Sequence, residues 1–278
     1  MALSGRKEDA IKEKTIAITG CTGGLGREVC RYLADAGANL IMLDRNQQKA
    51  EKLEQELRDR AKNITIKRIP IQLLDMDSVK TVTRRLVALK PDYFVAIAGV
   101  YRISRFICNS GYDNIFQINF ISPYYMASTL RRELPNIKIV VVGSLAHAFS
   151  KIDEHDIDFR TRKSPMKVYG NSKRFLMLAL EEHTIVHPGI TYTSIMTQYP
   201  PIISAMIKYP MKLMFMSPKK AALCILEGIL NTAPKGYWIG PRILGIWGKP
   251  KMQRLRPIKT KEQKNVSTIA IDISSQLD

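Results

Sequence analysis

Tyr169 and Lys173 stand four positions apart in Tyr169-Gly170-Asn171-Ser172-Lys173, on what reads as the first turns of a helix. Residues at i and i+4 share a helix face, so phenol and ammonium can reach one pocket. An ammonium beside a phenol favours the phenolate, lowering a pKa that starts near ~10 and making the Tyr a usable acid/base near neutrality. Such pairs are common on solvated helix faces, so the elements around this one must decide. Ser144 follows the apolar run Ile137–Val142, at the carboxyl end of an expected strand, which is where ligands sit in open α/β sheets.

A second constellation lies near the start. Thr15–Thr19 is a short β-branched run followed by Gly20-Cys21-Thr22-Gly23-Gly24-Leu25-Gly26, then helical apolar spacing from Arg27 to Ala36. Asn39–Leu43 is a second apolar run ending at Asp44. Strand, glycine turn, helix and strand make a βαβ unit. Glycines let the backbone approach a pyrophosphate, and the helix N-terminus presents free N–H groups to it. A carboxylate at the second strand end, as Asp44 is, can accept hydrogen bonds from an adenosine ribose diol.

These motifs need a frame. The spacing predicts helices over 47–62, from Asp77 or Ser78 to about Leu89, over 111–134 and from Tyr169 to about Glu182. Strands are expected at 64–69, 93–98, 137–142, 191–196 and 237–239, with another helix from Pro218 through Leu230. The alternation predicts an α/β fold, a doubly wound parallel sheet of Rossmann type flanked by helices in a single domain. Residues 1–14 read as an N-terminal extension, 15–260 as the catalytic domain and 261–278 as a loosely held tail. The Met- and Ile-rich stretch around 202–217 reads as a substrate lid, its adaptable apolar side chains suited to a hydrophobic ligand.

Together the motifs resemble the classical short-chain dehydrogenase/reductase family. Thr19-Gly20-x-x-x-Gly24-x-Gly26 is similar to its cofactor turn, Asn119 to its active-site Asn, Ser144 to the Ser after the fifth strand, and Tyr169-x-x-x-Lys173 to the catalytic helix. The order holds from Thr19 to Lys173. The Ser144-Leu145-Ala146-His147 and Tyr169–Lys173 stretches look like the retinol-dehydrogenase-like branch. The resemblance implies hydride transfer between nicotinamide and an alcohol or carbonyl carbon. Tyr169 would exchange the proton, Lys173 would lower the Tyr pKa and hold the nicotinamide ribose, Ser144 would bond the substrate oxygen, and Asn119 would support a water chain behind Lys173. It also places Gly20, Thr22, Gly24, Leu25, Gly26, Asp44, Arg45, Gln72, Leu73, Ala98 and Gly99 at the cofactor, and implies a homodimer or homotetramer.

Three departures stand out. Ala96-Ile97-Ala98-Gly99 replaces the family's Asn-Asn-Ala-Gly, so altered local packing is expected there. Gln72 stands where an Asp usually meets the adenine, and its carbonyl can still accept that bond. Pro200-Pro201 reads as replacing the Pro-Gly after the sixth strand. Asp44 favours NAD(H), while the adjacent Arg45 keeps NADP(H) as the alternative.

The chain has 278 residues, 45% hydrophobic and 24% charged, as globular proteins do. No run of ~18 apolar residues and no signal-like leader is present, and Cys21, Cys30, Cys108 and Cys224 lack metal-ligand spacing, so a cytoplasmic protein with reduced thiols is expected. The four histidines also lack such spacing and read as surface or loop residues; Asp153, Glu154, Asp156 and Asp158 read as a solvated acidic loop. Forty-three basic against 25 acidic residues give a net charge of +18. The densest basic cluster, Lys249 to Lys264, carries no nucleic-acid motif and reads as a solvated tail, so no nucleic-acid partner is expected. Two competing readings remain: a dinucleotide-sensing or scaffold protein of the same fold, and a basic protein associating with an anionic membrane surface.

Overall fold

The computed structural model describes residues 9–190, 216–255 and 260–277. Its frame is an eight-stranded sheet in the order β3-β2-β1-β4-β5-β6-β7-β8. The strands are β1 (Thr15–Thr19), β2 (Asn39–Asp44), β3 (Ile66–Pro70), β4 (Tyr93–Ala96), β5 (Lys138–Val142), β6 (Thr184–Val186), β7 (Tyr237–Ile243) and β8 (Trp247–Arg254). All pairings are parallel except β7 with β8.

The described helices are α1 (Gly24–Asp35), α2 (Gln47–Arg60), α3 (Met76–Leu89), α4, α5 (Pro165–Ala179), α6 (Pro218–Leu230) and α7 (Thr260–Leu277). Helix α4 comprises Asn114–Phe116, a π-helical turn Gln117–Ile121 and Ser122–Glu133. Local chemistry sets the starts. Asn46 accepts from the Lys49 N–H ahead of α2, Asp113 from Ile115 and Phe116 ahead of α4, and Ser217 precedes Pro218 at the first position of α6.

Alternation along the parallel strands feeds a core on each face. On one face Ala17, Phe94 and Val141 meet Val82 of α3, Phe120 of α4, Phe175 of α5 and Val266 of α7. On the other, Ile18, Val95 and Val140 meet Leu33 of α1, Leu53 of α2 and Ile225 of α6. Strands covered on both faces must be apolar throughout, which explains their continuous runs. The strand order reverses between β1 and β4, and the crevice at that point is where open α/β sheets bind ligands.

Several expectations need correction. The sixth strand is Thr184–Val186, and it is followed by His187-Pro188-Gly189 with Gly189 at φ +81°. The Pro-Gly after that strand is therefore Pro188-Gly189, and no substitution by Pro200-Pro201 needs explaining. The expected strand at 191–196, Pro200-Pro201 and nearly all of the lid at 202–217 lie outside the described residues. The expected loose tail is an 18-residue helix, α7, which buries Val266, Ala270 and Ile273 against α5. The Arg174 guanidinium holds it by donating to both carboxylate oxygens of Glu262, at 2.5 and 2.7 Å. Part of the basic cluster, Lys249 to Arg254, forms the edge strand β8.

The acidic loop is also not solvated throughout. Asp158 is 1% exposed; it accepts from the Asp113 N–H at 2.8 Å and pairs with Arg160, tying the loop to the start of α4. Asp113 in turn pairs with Arg105 at 2.9 Å. His147 and His187 are buried, not at the surface.

Candidate active site

The glycine turn closes tightly because side chains have no room there. A Cβ on Gly26 would meet the Gly20 carbonyl oxygen at 2.1 Å, and Gly20 itself lies at φ +75° with Ala98 backbone 3.0 Å from where its Cβ would be. With no side chains in the way, the start of α1 comes up against the crevice with its N–H groups directed there. Beside the turn opens a cavity of about 350 Å³. Its walls contain Gly20, Thr22, Gly24, Leu25 and Gly26 from the turn, and Asp44 and Arg45 from the end of β2. Gln72 and Leu73 after β3, and Ala98 and Gly99 after β4, complete the expected set.

Asp44 is 5% exposed, and the Thr22 hydroxyl donates to it at 2.8 Å, with the Thr22 N–H at 3.3 Å. Burial raises its pKa, opposed by these bonds and by Cys21. Asn46 and Lys49 share the same wall. They were not anticipated, although Lys49 follows Arg45 by four positions, and that spacing was the available signal. The stretch that lacks the asparagines is held from β1: the Thr19 hydroxyl accepts from both the Ile97 and Ala98 N–H groups at 3.2 Å.

Behind Gly99 lies the second group of side chains. A Cβ on Gly99 would meet Asn119 Oδ1 at 3.0 Å and Lys173 Nζ at 3.5 Å, so glycine lets both approach the cavity floor. Asn119, in the π-helical turn of α4, is fully buried. Its Oδ1 accepts from the Val100 N–H and its Nδ2 donates to the Val100 carbonyl, both at 2.8 Å, and also to Ser172 Oγ at 3.1 Å. The extra residue of a π turn swings a side chain out of the regular helix register, and here it aims the Asn amide at the loop after β4. Ser172 Oγ donates to the Tyr169 carbonyl at 2.8 Å within α5, so the Asn119 bond to Ser172 is what fastens α5 to α4.

Ser144 lies two residues beyond β5 and caps a 3₁₀ turn, Leu145–Phe149, by accepting from the Ala146 N–H at 3.2 Å. Its hydroxyl is near enough to the Tyr169 phenol to hold that group's pKa down. The expected lowering of the Tyr169 pKa is not found. Burial pushes Tyr169 up to about 12, with the Ser144 hydroxyl opposing and the Tyr101 phenol adding to the rise. Burial draws Lys173 down to about 8. Lys173 Nζ donates to the Val142 carbonyl at 2.8 Å and sits 6.0 Å from the Tyr169 ring centroid. Desolvation therefore outweighs the ammonium's attraction for a phenolate in this arrangement. The Tyr101 ring meets Tyr169 edge-on at 5.3 Å between centroids, a neighbour that the sequence did not reveal. Next to Ser144, His147 Nδ1 lies 2.6 Å from the Ser144 carbonyl, and His147 and His187 flank Trp238.

The sheet order, the glycine turn at its switch point and the group Asn119, Ser144, Tyr169 and Lys173 define a Rossmann-type protein of the dinucleotide-binding class. The short chain dehydrogenase family matches residues 14–153, half of the chain. The chain belongs to that family.

Among curated relatives, it is 28% identical to retinol dehydrogenase 12 of Mus musculus over 66% of this chain, and 25% identical to retinol dehydrogenase 13 of Homo sapiens over 66%. These matches span 64% and 61% of the relatives' own lengths, less than two thirds of each. The fold matches an uncharacterized protein from Mycobacterium Paratuberculosis with TM-score 0.74 and 22% identity, covering 100% of this chain and 97% of that one. A short-chain dehydrogenase from Sphingobium yanoikuyae, solved in complex with NADPH, matches with TM-score 0.55 and 19% identity over 71% of this chain and 85% of its own.

Proposed function

We propose that this chain is an NAD(P)(H)-dependent oxidoreductase acting on a hydrophobic alcohol, ketone or aldehyde. One observation carries the reading: the cavity along the glycine turn runs to Gly99, directly against Lys173 and Asn119. The turn and the α1 N-terminus would hold the pyrophosphate, and Asp44 the adenosine ribose. A nicotinamide dinucleotide bound there would supply or accept the hydride.

The chain's own groups handle the proton. Tyr169 is the acid that donates to an oxygen of the substrate, and the Ser144 hydroxyl is the second donor at fixed position. Lys173, charged below about 8, brings a cation to the same floor and would engage the nicotinamide ribose. Asn119 holds the 98–100 loop and, through Ser172, the turn bearing Tyr169.

NAD(H) is the cofactor reading, resting on a carboxylate at the β2 end; Arg45 and Lys49 on the same wall make NADP(H) the competitor. Self-association as a homodimer or homotetramer belongs to the reading, and the four buried free thiols fit a reducing, cytoplasmic setting. A dinucleotide-sensing role is the second reading. What favours it is Tyr169 pushed up to about 12, with Lys173 bonded to a backbone carbonyl.

The test is titration of the purified protein with NADH and NADPH, followed by a panel of apolar alcohols, aldehydes and ketones. Binding with turnover is expected. Binding without turnover across the panel favours the sensor, and absence of binding by either nucleotide removes both readings.

A further inference from the structure

We infer that the β7–β8 hairpin is a membrane-surface docking element, which seats Ile243, Leu244 and Trp247 in an anionic lipid interface beside the mouth of the candidate site. No helix among the described residues is long and apolar enough to cross a membrane.

The turn at the hairpin tip is built against its own ease of folding. The Ile246 N–H donates to the Ile243 carbonyl at 2.8 Å, and the two central residues, Leu244 and Gly245, lie at φ +51° and +70°. Both signs are those of a type I′ turn, whose first central position suits Asn, Asp or Gly. Leu244 occupies it instead, at 79% exposure, in a backbone region that L side chains rarely adopt. Local folding rewards neither the strained backbone nor the wet leucine. Burial of this tip in an apolar medium does reward the leucine. Ile243, 51% exposed, and Trp247, 36% exposed, flank it. Tryptophan beside aliphatic side chains suits the boundary between headgroups and acyl chains.

Charge selects the partner. Between Glu227 and Glu262 the sequence carries eight Lys and Arg residues and no Asp or Glu. On the hairpin, Arg242, Lys249, Lys251 and Arg254 are all exposed. An apolar tip with Arg242 and Lys249 close to it, Lys251 and Arg254 further down the hairpin, and no carboxylate in the same stretch of chain matches an anionic lipid surface.

Position gives the contact a use. Parallel β7 carries the tip to the same sheet edge as Ser144, and a Cβ on Gly245 would touch the Leu145 side chain at 3.3 Å. Phe149, 65% exposed on the 3₁₀ turn after Ser144, and Ile190, exposed after β6, lie at that edge too. Docking would thus turn the mouth of the site towards lipid, where an apolar alcohol or ketone partitions. This last consequence rests on the proposed oxidoreductase reading; the docking itself does not.

The chain has two tryptophans, and Trp238 is buried, so a Trp238→Phe variant leaves Trp247 as the reporter. Full-length protein is mixed with vesicles of phosphatidylcholine, or of phosphatidylcholine with phosphatidylglycerol, including acyl-brominated lipid. Co-sedimentation with the anionic vesicles only, a blue shift of Trp247 and its quenching by bromine are expected. Leu244→Asn suits the turn better, so it should keep or raise the melting temperature while removing the quenching. Lys249→Glu with Lys251→Glu should lower the bound fraction by about tenfold. No sedimentation at low salt overturns the inference, as does sedimentation with unchanged Trp247 emission. A self-associated wild type that Leu244→Asn renders monomeric, without vesicle binding, reassigns the tip to a second copy of the chain. Nucleotide binding is read separately, so failure of docking and failure of the enzyme reading are distinguishable.

Discussion

The Thr22 hydroxyl donates to the Asp44 carboxylate at 2.8 Å, so the residue at the end of β2 is held by the glycine turn it faces. Both sides of the expected ribose and pyrophosphate contacts are thereby coupled. Asp44→Ala removes the charge that repels a 2′-phosphate and leaves Arg45 and Lys49 on the wall. The ratio of NADPH to NADH dissociation constants should fall by at least about tenfold, or ~1.4 kcal/mol. Fluorescence titration of both variants measures it. A wild type that already binds NADPH more tightly would overturn the assignment of Asp44 to the ribose.

Tyr169→Phe keeps the ring that packs on Tyr101 and removes only the phenolic oxygen. Turnover should drop by about 10²–10⁴-fold, the usual span of a general acid, while the nucleotide dissociation constant stays within about twofold. Initial rates with saturating nucleotide decide it. Retained turnover would exclude Tyr169 as the proton donor.

His187 is buried against Trp238, and burial draws its pKa down to about 4. Between about 4 and the ordinary value near 6.5 the unfolded chain binds a proton that the folded chain does not. Stability should therefore be complete above pH ~6.5 and fall as the pH drops towards 4, by up to roughly 3 kcal/mol. Urea midpoints across that range should show a slope in the wild type that His187→Phe flattens. Equal slopes in the two proteins would remove His187 as the cause.

Arg174 joins α5 to α7 through Glu262 and also donates to the His147 carbonyl at 3.1 Å. The pair is only partly exposed, at 12% and 19% of the side chains. Arg174→Ala should cost about 1–2 kcal/mol, with most of it shared with Glu262→Ala in a double-mutant cycle. Strict additivity of the two would mean that α7 is held by Val266, Ala270 and Ile273 alone.

The parts of the site that could be read from residue order are those where one pattern has one physical use. The Gly20–Gly26 turn, Asp44 at a strand end and Ser144 after β5 each sit at a boundary between an apolar run and a helix, and the fold places them so. Strand β6 escaped because three residues, Thr184–Val186, give no periodicity to read, and with it went the Pro188-Gly189 turn. Helix α7 was missed because its charged residues mask a narrow apolar stripe whose value depends on α5 being underneath. A lowered Tyr169 pKa was expected from its spacing to Lys173 alone, whereas desolvation depends on everything packed around the pair.

Strand β8 has one further consequence. It occupies the side of β7 where another strand could have added, and its own free side carries Lys249, Pro250 and Lys251. Proline offers no donor there and the lysines repel a like copy, so the sheet is terminated against growth in that direction. Two copies of this chain that associate are then steered away from β8, and a continuous sixteen-stranded sheet across a dimer axis at β8 is disfavoured.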